Sequence, residues 1–415
     1  MTKLSEMPPV ALAIAAVGLM AFDVPEGEWP QWRGPQRDGV VRAFGEPQAW
    51  PEELKLVWKR AVGSGYSSPV VSGQRVYLFT RQEEREVVSC LDLKNGETWW
   101  RQDYPAPYRL NPAARAHGKG PKSTPVLYRG KLFTFGIGGI LSCFHARSGE
   151  LRWRQEFDHR FPDTTPLYGV GMSAAAEDGV LIAHVGGHDH GALTAFSADT
   201  GKVLWSWDGD GPAYASPIIA ELAGVRQVVT QTQENLVGIR FSTGELLWSI
   251  PFTTPYTQNI VTPVVHGEKL IFSGLDKGIL AIRLVRRGSA LATEEVWKNR
   301  RLSLYMSSPV LVGDWLFGLS HLRKGQFFCL DARTGATRWV SRGRQAENAA
   351  VIRLGEVLLL LTNDADLIVL PTTADAFRPV ARYAVADSPT WAHPVVVNGG
   401  VLIKGDSFLA LWSFE

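Results

Sequence analysis

The chain has 415 residues, 45% of them hydrophobic and 20% charged, with a formal net charge of +2 at pH 7. That is an ordinary globular composition with ample material for a large core, and its balanced charge argues against a general attraction to nucleic acid or to an anionic membrane. The cysteines, Cys90, Cys143 and Cys329, are odd in number and far apart, so they read as small buried apolar residues rather than a disulfide framework.

At the start, Lys3 precedes an apolar run from Val10 to Phe22 that is too short to span a bilayer comfortably. It fits the core of a signal peptide over residues 1–22, with cleavage near Ala21. The expectation is export to the periplasm or beyond. No cysteine follows the run for lipid attachment, and no transmembrane span is expected in the mature chain. Residues 23–53 are rich in Pro, Gly and Trp, including Trp29-Pro-Gln-Trp32-Arg-Gly-Pro35 and Trp50-Pro51, and read as a segment that wraps the domain. Leu54 to Val62 then reads as a lone strand ending its apolar side on Trp58.

A repeat follows, and residues 54–415 read as one all-β domain. Its clearest copy is Cys329-Leu-Asp-Ala-Arg-Thr-Gly335-Ala-Thr-Arg-Trp339. Phe327 to Leu330 is a strand, and Asp331 to Gly335 a tight turn. Asp bonds backbone N–H groups ahead of it, and Gly accepts positive φ. The next strand returns and ends on a large aromatic. Degraded copies lead to Trp100, Trp153, Trp205 and Trp248. One hairpin cannot bury its own Trp, so neighbours must. A second signal runs in step: Ser68-Pro69, Thr124-Pro125, Ser216-Pro217, Thr262-Pro263 and Ser308-Pro309, with His393-Pro394 as a variant. Pro at the first residue of a strand lies where no ladder donor is needed. Each repeat, of roughly 45 residues, reads as four strands, the signature of a propeller blade. Inner strands start near residues 68, 124, 173, 216, 262, 308, 350 and 393, which gives an eight-bladed β-propeller. A seven-blade count stays open through the degraded repeats near Ser173 and Ala350. In the latter, Tyr383 stands for the Trp. Trp391 to Phe414 supplies three strands and Leu54–Val62 the fourth, so an N-terminal strand closes the last blade and removes its open edge.

Strand order places the long insertions, Tyr104–Pro121 and Asp158–Val170, on one face with the turn holding His188 and His190. Loops on a rigid scaffold are where function usually sits. Residues just ahead of the inner strands should line the funnel there: Tyr66, Lys122, Tyr214, Asn259, Tyr305, Asn348 and Trp391. Aromatic and polar groups converging on a concavity suit a small ligand or a peptide. Arg109, Arg115, His117, Lys119 and Lys122 make the first insertion basic, which suits an acidic group. His184, His188, Asp189 and His190 are the densest metal-type residues, with His188 and His190 the candidate ligands. Gly169-Val-Gly171 imitates a dinucleotide fingerprint but has no helix after it, and no nucleophile elbow, phosphate loop or metalloprotease motif occurs.

Leu330-Asp-Ala-Arg-Thr-Gly335-Ala-Thr-Arg-Trp339 resembles the tryptophan-docking repeat of the quinoprotein (pyrroloquinoline quinone) dehydrogenase-like propellers. The resemblance covers about residues 54–415 and implies the fold. Within that superfamily the chain is similar in length to the eight-bladed outer-membrane protein assembly factors. It departs from the quinoprotein dehydrogenases in having no adjacent cysteines and no recognisable Glu, Asn and Asp trio for calcium. The reading drawn from this is a non-catalytic exported monomer, needing no cofactor, that binds a cell-envelope protein or a ligand on its insertion-bearing face. The alternative is an oxidoreductase of alcohol or sugar dehydrogenase type using pyrroloquinoline quinone with calcium.

Overall fold

The computed structural model describes residues 28–415, apart from residues 43, 46, 48, 289 and 374. The signal peptide expected over residues 1–22, and the first residues of the segment expected to wrap, lie outside the described residues. Eight antiparallel sheets form an eight-bladed β-propeller, with three short 3-10 helices among the described residues. The first seven blades span residues 70–105, 126–155, 175–207, 218–251, 264–299, 310–340 and 349–384. The repeats near Ser173 and Ala350 are complete blades, so the count of seven is dropped. Among the described residues no helix is long and apolar enough to cross a membrane.

Most blades dock on the next through a Trp on the outer strand. Asp331 Oδ1 accepts from Arg333 N at 2.8 Å and Asp331 O from Gly335 N at 2.7 Å, which folds the turn. The Trp297 ring of the preceding blade lies on Gly335, and Trp297 Nε1 donates to Ala332 O at 3.0 Å. The same bond runs from Trp100 to Ala146 O and from Trp205 to Phe241 O. Opposite each Trp in its own sheet sits a small residue. Cys90 faces Trp100, Cys143 faces Trp153, Cys329 faces Trp339, and Ala195 faces Trp205. The three thiols are buried and free; they make room for an indole. Where the next blade has no Thr-Gly turn, docking changes. The fifth blade carries a long outer hairpin instead, Gly278–Arg287 with Ala290–Asn299, and Trp248 turns its Nε1 to Gln227 Oε1 in its own blade, 2.6 Å away.

Around the channel runs a belt of hydroxyls. Thr124 N donates to Ser173 Oγ (2.9 Å), Ser173 N to Ser216 Oγ (2.9 Å), Ser216 N to Thr262 Oγ1 (3.1 Å) and Thr262 N to Ser308 Oγ (3.2 Å). Ser173, Ser216, Thr262 and Ser308 thus each accept a backbone donor from the blade before, and all but Ser173 stand directly before a Pro. That removes an orphan N–H that a buried loop cannot leave unpaired.

The eighth blade is built from both ends of the domain. Lys55–Ala61 pairs antiparallel with Phe408–Ser413, outside the strands Gly400–Lys404 and Val395–Val397. The preceding segment enters the channel instead of following the outside of the disc. Trp29 exchanges backbone bonds with Val71, Leu127 N donates to Pro30 O, and Val40–Val41 pairs parallel with Arg353 and Leu354. Arg33 donates to Pro309 O, while Arg37 donates to Ser173 O and Ala174 O. Burial pulls these guanidinium pKa values down to about 10 and about 9. The physical reason is edge chemistry. Inner strands leave carbonyls pointing into the channel, and the planar fork of Arg satisfies several at once.

Candidate functional site

At one mouth of the channel lies a cavity of about 560 Å³. Of the residues read as its lining, Tyr66, Lys122, Tyr214, Tyr305, Asn348 and Trp391 are there and Asn259 is not. Asn259 is fully buried and ties loops together: its Nδ2 donates to Thr232 O (2.7 Å) and Phe252 O (2.7 Å), and its Oδ1 accepts from Thr254 Oγ1 (3.0 Å). Its neighbour Gln258 takes the place in the wall.

The inner end of the cavity is Trp32, carried on the segment that fills the channel, with the His393 ring edge-on at 5.4 Å. The guanidinium carbons of Arg33 and Arg37 stand 5.5 and 5.9 Å from the centre of the Trp32 ring. One wall is a cluster of His117, Trp391 and Tyr66, with His117 and Trp391 centroids 4.8 Å apart. Another is Tyr168 against Tyr214, whose hydroxyl accepts from Tyr168 N at 3.1 Å. Tyr305 donates its hydroxyl to Gln258 Oε1. Lys122 is packed in this wall with its Nζ donating to Tyr168 O at 2.8 Å, and burial lowers its ammonium pKa to about 8. Sequence reasoning missed Trp32, His117, Tyr168 and His393 as lining. The Trp-Pro-Gln-Trp-Arg-Gly-Pro cluster was the available signal for Trp32.

The two insertions brace one another. Gly169 of the second packs against the Tyr108 hydroxyl of the first, and Thr164 Oγ1 ties the second to the turn of the second blade by donating to Gly138 O at 3.0 Å. The turn with His188 and His190 abuts Asp163 of the second insertion through Gly187, and Asp189 N donates to Gln233 Oε1 at 3.0 Å. Arg109 and Arg115 are exposed on the first insertion and outside the cavity wall, with no ion pair among the described residues. Lys119 is spent on Glu84 at 2.7 Å. His188 Nε2 lies 3.6 Å from Asp189, and His190 Nδ1 meets His188 O at 3.1 Å. His184 is buried apart, donating Nε2–H to Asp210 O at 2.9 Å, with its pKa pulled down to about 4 by burial. Among the described residues no group of three or more His, Cys, Asp or Glu gathers as a metal site would need.

A quinone held with calcium needs a cluster of oxygen ligands, about six to eight around the ion. The cavity wall carries one carboxylate, Glu347, and it stands exposed at the rim. The residues present do not fit that pair of groups.

A family model described as outer membrane protein assembly factor BamB matches residues 84–341. The outer membrane protein assembly factor BamB of Shewanella oneidensis is 26% identical over 230 residues, 53% of this chain and 56% of that protein. The chain thus spans little more than half the length of that relative. BamB of Burkholderia pseudomallei is 24% identical over 351 residues, 75% of this chain and 86% of that protein. Among solved structures, the quinohemoprotein alcohol dehydrogenase of Comamonas testosteroni superposes with a TM-score of 0.68 at 13% identity, over 94% of this chain and 80% of that one. At that identity the likeness is one of fold.

Proposed function

The chain belongs to the outer membrane protein assembly factor BamB family, and from that premise we propose an exported, non-catalytic propeller that docks a protein partner in the cell envelope. The docking face is the one that carries the insertions. The observation that carries this reading is Arg109 and Arg115. Both stand exposed, and without an ion pair among the described residues, on an insertion that packs against its neighbour where Tyr108 meets Gly169. Exposed, unpaired guanidiniums are complementary to acidic groups on a partner and speed encounter. A non-catalytic role is supported by the match of residues 84–341 to the assembly-factor family model. The apolar run from Val10 to Phe22 supports export into the periplasm.

The test is affinity capture from an envelope extract with the full chain and with the double variant Arg109→Ala/Arg115→Ala. The variant should lose its partner at physiological salt while its melting temperature moves by no more than about a degree or two, since exposed substitutions rarely affect stability. Undiminished capture by the variant, with capture lost instead on altering the Thr-Gly turns, would put the partner on the opposite face.

A further inference from the structure

The cavity holds two charges that nothing in the protein answers. Lys122, in the loop before the second blade, has one acceptor for its three N–H donors, the carbonyl of Tyr168. Glu347, in the loop before the seventh blade, has no hydrogen bond or ion pair among the described residues. Both line the same space. They are three blades apart around the ring, with Tyr66 and Trp391 between them on the short side and Tyr214 and Tyr305 on the long side. The two other cations nearby, Arg33 and Arg37, flank Trp32 and donate to backbone carbonyls, with Arg33 Nε and Nη1 and Arg37 Nε left buried without a partner. Two amides also face the space with their donors uncommitted. Gln258 uses its oxygen for Tyr305, and Asn348 uses its oxygen for Ser307 Oγ (2.6 Å). Their NH₂ groups are left for an acceptor.

We propose that this cavity binds a short zwitterionic peptide, about two or three residues long, with its carboxylate on Lys122 and its ammonium toward Glu347. The peptide carbonyls accept from Gln258 and Asn348, and an aromatic side chain lies among the Tyr and Trp rings. The reasoning is by complementarity. A simple organic anion would satisfy Lys122 and be repelled by Glu347. A neutral sugar would cover the Lys122 ammonium without pairing it, which is costly, and would leave Glu347 unused. A zwitterion with amide groups and an aromatic side chain matches Lys122, Glu347, the two amides and the ring walls together. Aromatic walls also suit a flat side chain, which gains from stacking or edge contacts. The volume, about 560 Å³, falls in the range usual for small-ligand sites. This goes beyond the docking reading and does not depend on it: the peptide site is the centre of the face, and the guanidiniums proposed for the partner stand outside it.

The experiment is calorimetric titration of the full chain with Ala-Phe-Ala, its C-terminal amide and its N-acetyl form. Amidation should weaken binding at least tenfold, and acetylation likewise. In Lys122→Gln the free acid and the amide should bind alike. In Glu347→Gln the free amine and the acetylated peptide should bind alike. Capped forms that bind the wild-type protein as tightly as the free peptide overturn the proposal, and this comparison needs no variant to fold. So does 3-phenylpropionate binding as tightly as the peptide, or the absence of heat at millimolar peptide. Partner capture by the Arg109→Ala/Arg115→Ala variant is read separately, so either idea can fail while the other stands.

Discussion

Replacing Gly335 by Ala places a Cβ 2.5 Å from the Trp297 ring at a residue whose φ is 73°. Gly313 in the same blade has a φ of 56° but open space where its Cβ would go. Gly313→Ala should therefore show backbone strain alone, about 1 kcal/mol, and Gly335→Ala at least about 2 kcal/mol, because the ring must also move. Equal urea midpoints for the two variants would mean that Trp docking adds nothing to stability. A second residue-scale expectation concerns acid. His184 is buried and His393 is half-buried at the inner end of the cavity, and desolvation lowers their pKa values from the ordinary 6.5 to about 4 and about 3. Below pH 6.5 the unfolded chain takes up protons at these rings while the folded chain does not until well below pH 5. Stability must then fall as pH drops through this window, and neither ring contributes above it. At pH 5 the loss is roughly 2 kcal/mol for His184 and smaller for the part-solvated His393. Urea midpoints at pH 7.5 and pH 5 should show it, and His184→Gln should flatten the difference. A midpoint unchanged by acid would show that these rings are solvated.

The blade was legible in the sequence because its signals are local. Asp, Gly and Trp lie within one hairpin, and the Pro that opens each inner strand follows its hydroxyl residue directly. What those hydroxyls do was not legible. Ser216 accepts from Ser173 N, and Thr262 from Ser216 N, so each partner lies a full repeat away and only ring closure brings them together. The cysteines were legible as buried, but not as the small residues that seat an indole, since that pairing crosses a turn and a register shift. Of the seven residues read as the funnel lining, six line the cavity, while Trp32, His117, Tyr168 and His393 were not read as part of it. Gln258 and Asn259 point opposite ways, and in a loop no strand alternation says which faces the space. The segment around Trp32 was the least readable. It has no periodicity and only a two-residue strand, and its partners lie in the first, second, third, sixth and seventh blades. Its Arg33 and Arg37 carry no signature that separates a channel-filling guanidinium from a surface one.

At the scale of the whole molecule, one strand closes the ring twice. Lys55–Ala61 completes the ladder of the eighth blade against Phe408–Ser413, and its Trp58 docks on the first blade, with Nε1 donating to Leu93 O at 2.9 Å and its ring on Gly96. The segment ahead of it contributes differently, by capping inner carbonyls through Arg33 and Arg37. Two truncations separate these roles. A chain beginning at residue 50 keeps the closing strand and loses the channel segment. It should stay soluble and monomeric but melt earlier, because hydrogen bonds from a charged group contribute about 1.5–3 kcal/mol each. A chain beginning at residue 66 loses both closures. It leaves Phe408–Ser413 as a bare edge, and the turn around Gly96 loses its indole. An unpaired apolar edge of that length pairs with other chains, so this protein should aggregate on expression or on refolding. Sedimentation and thermal melting read both outcomes. A monomeric chain from residue 66 with one cooperative transition would mean that the Velcro at residues 55–61 is dispensable, and that docking among the other blades alone holds the ring.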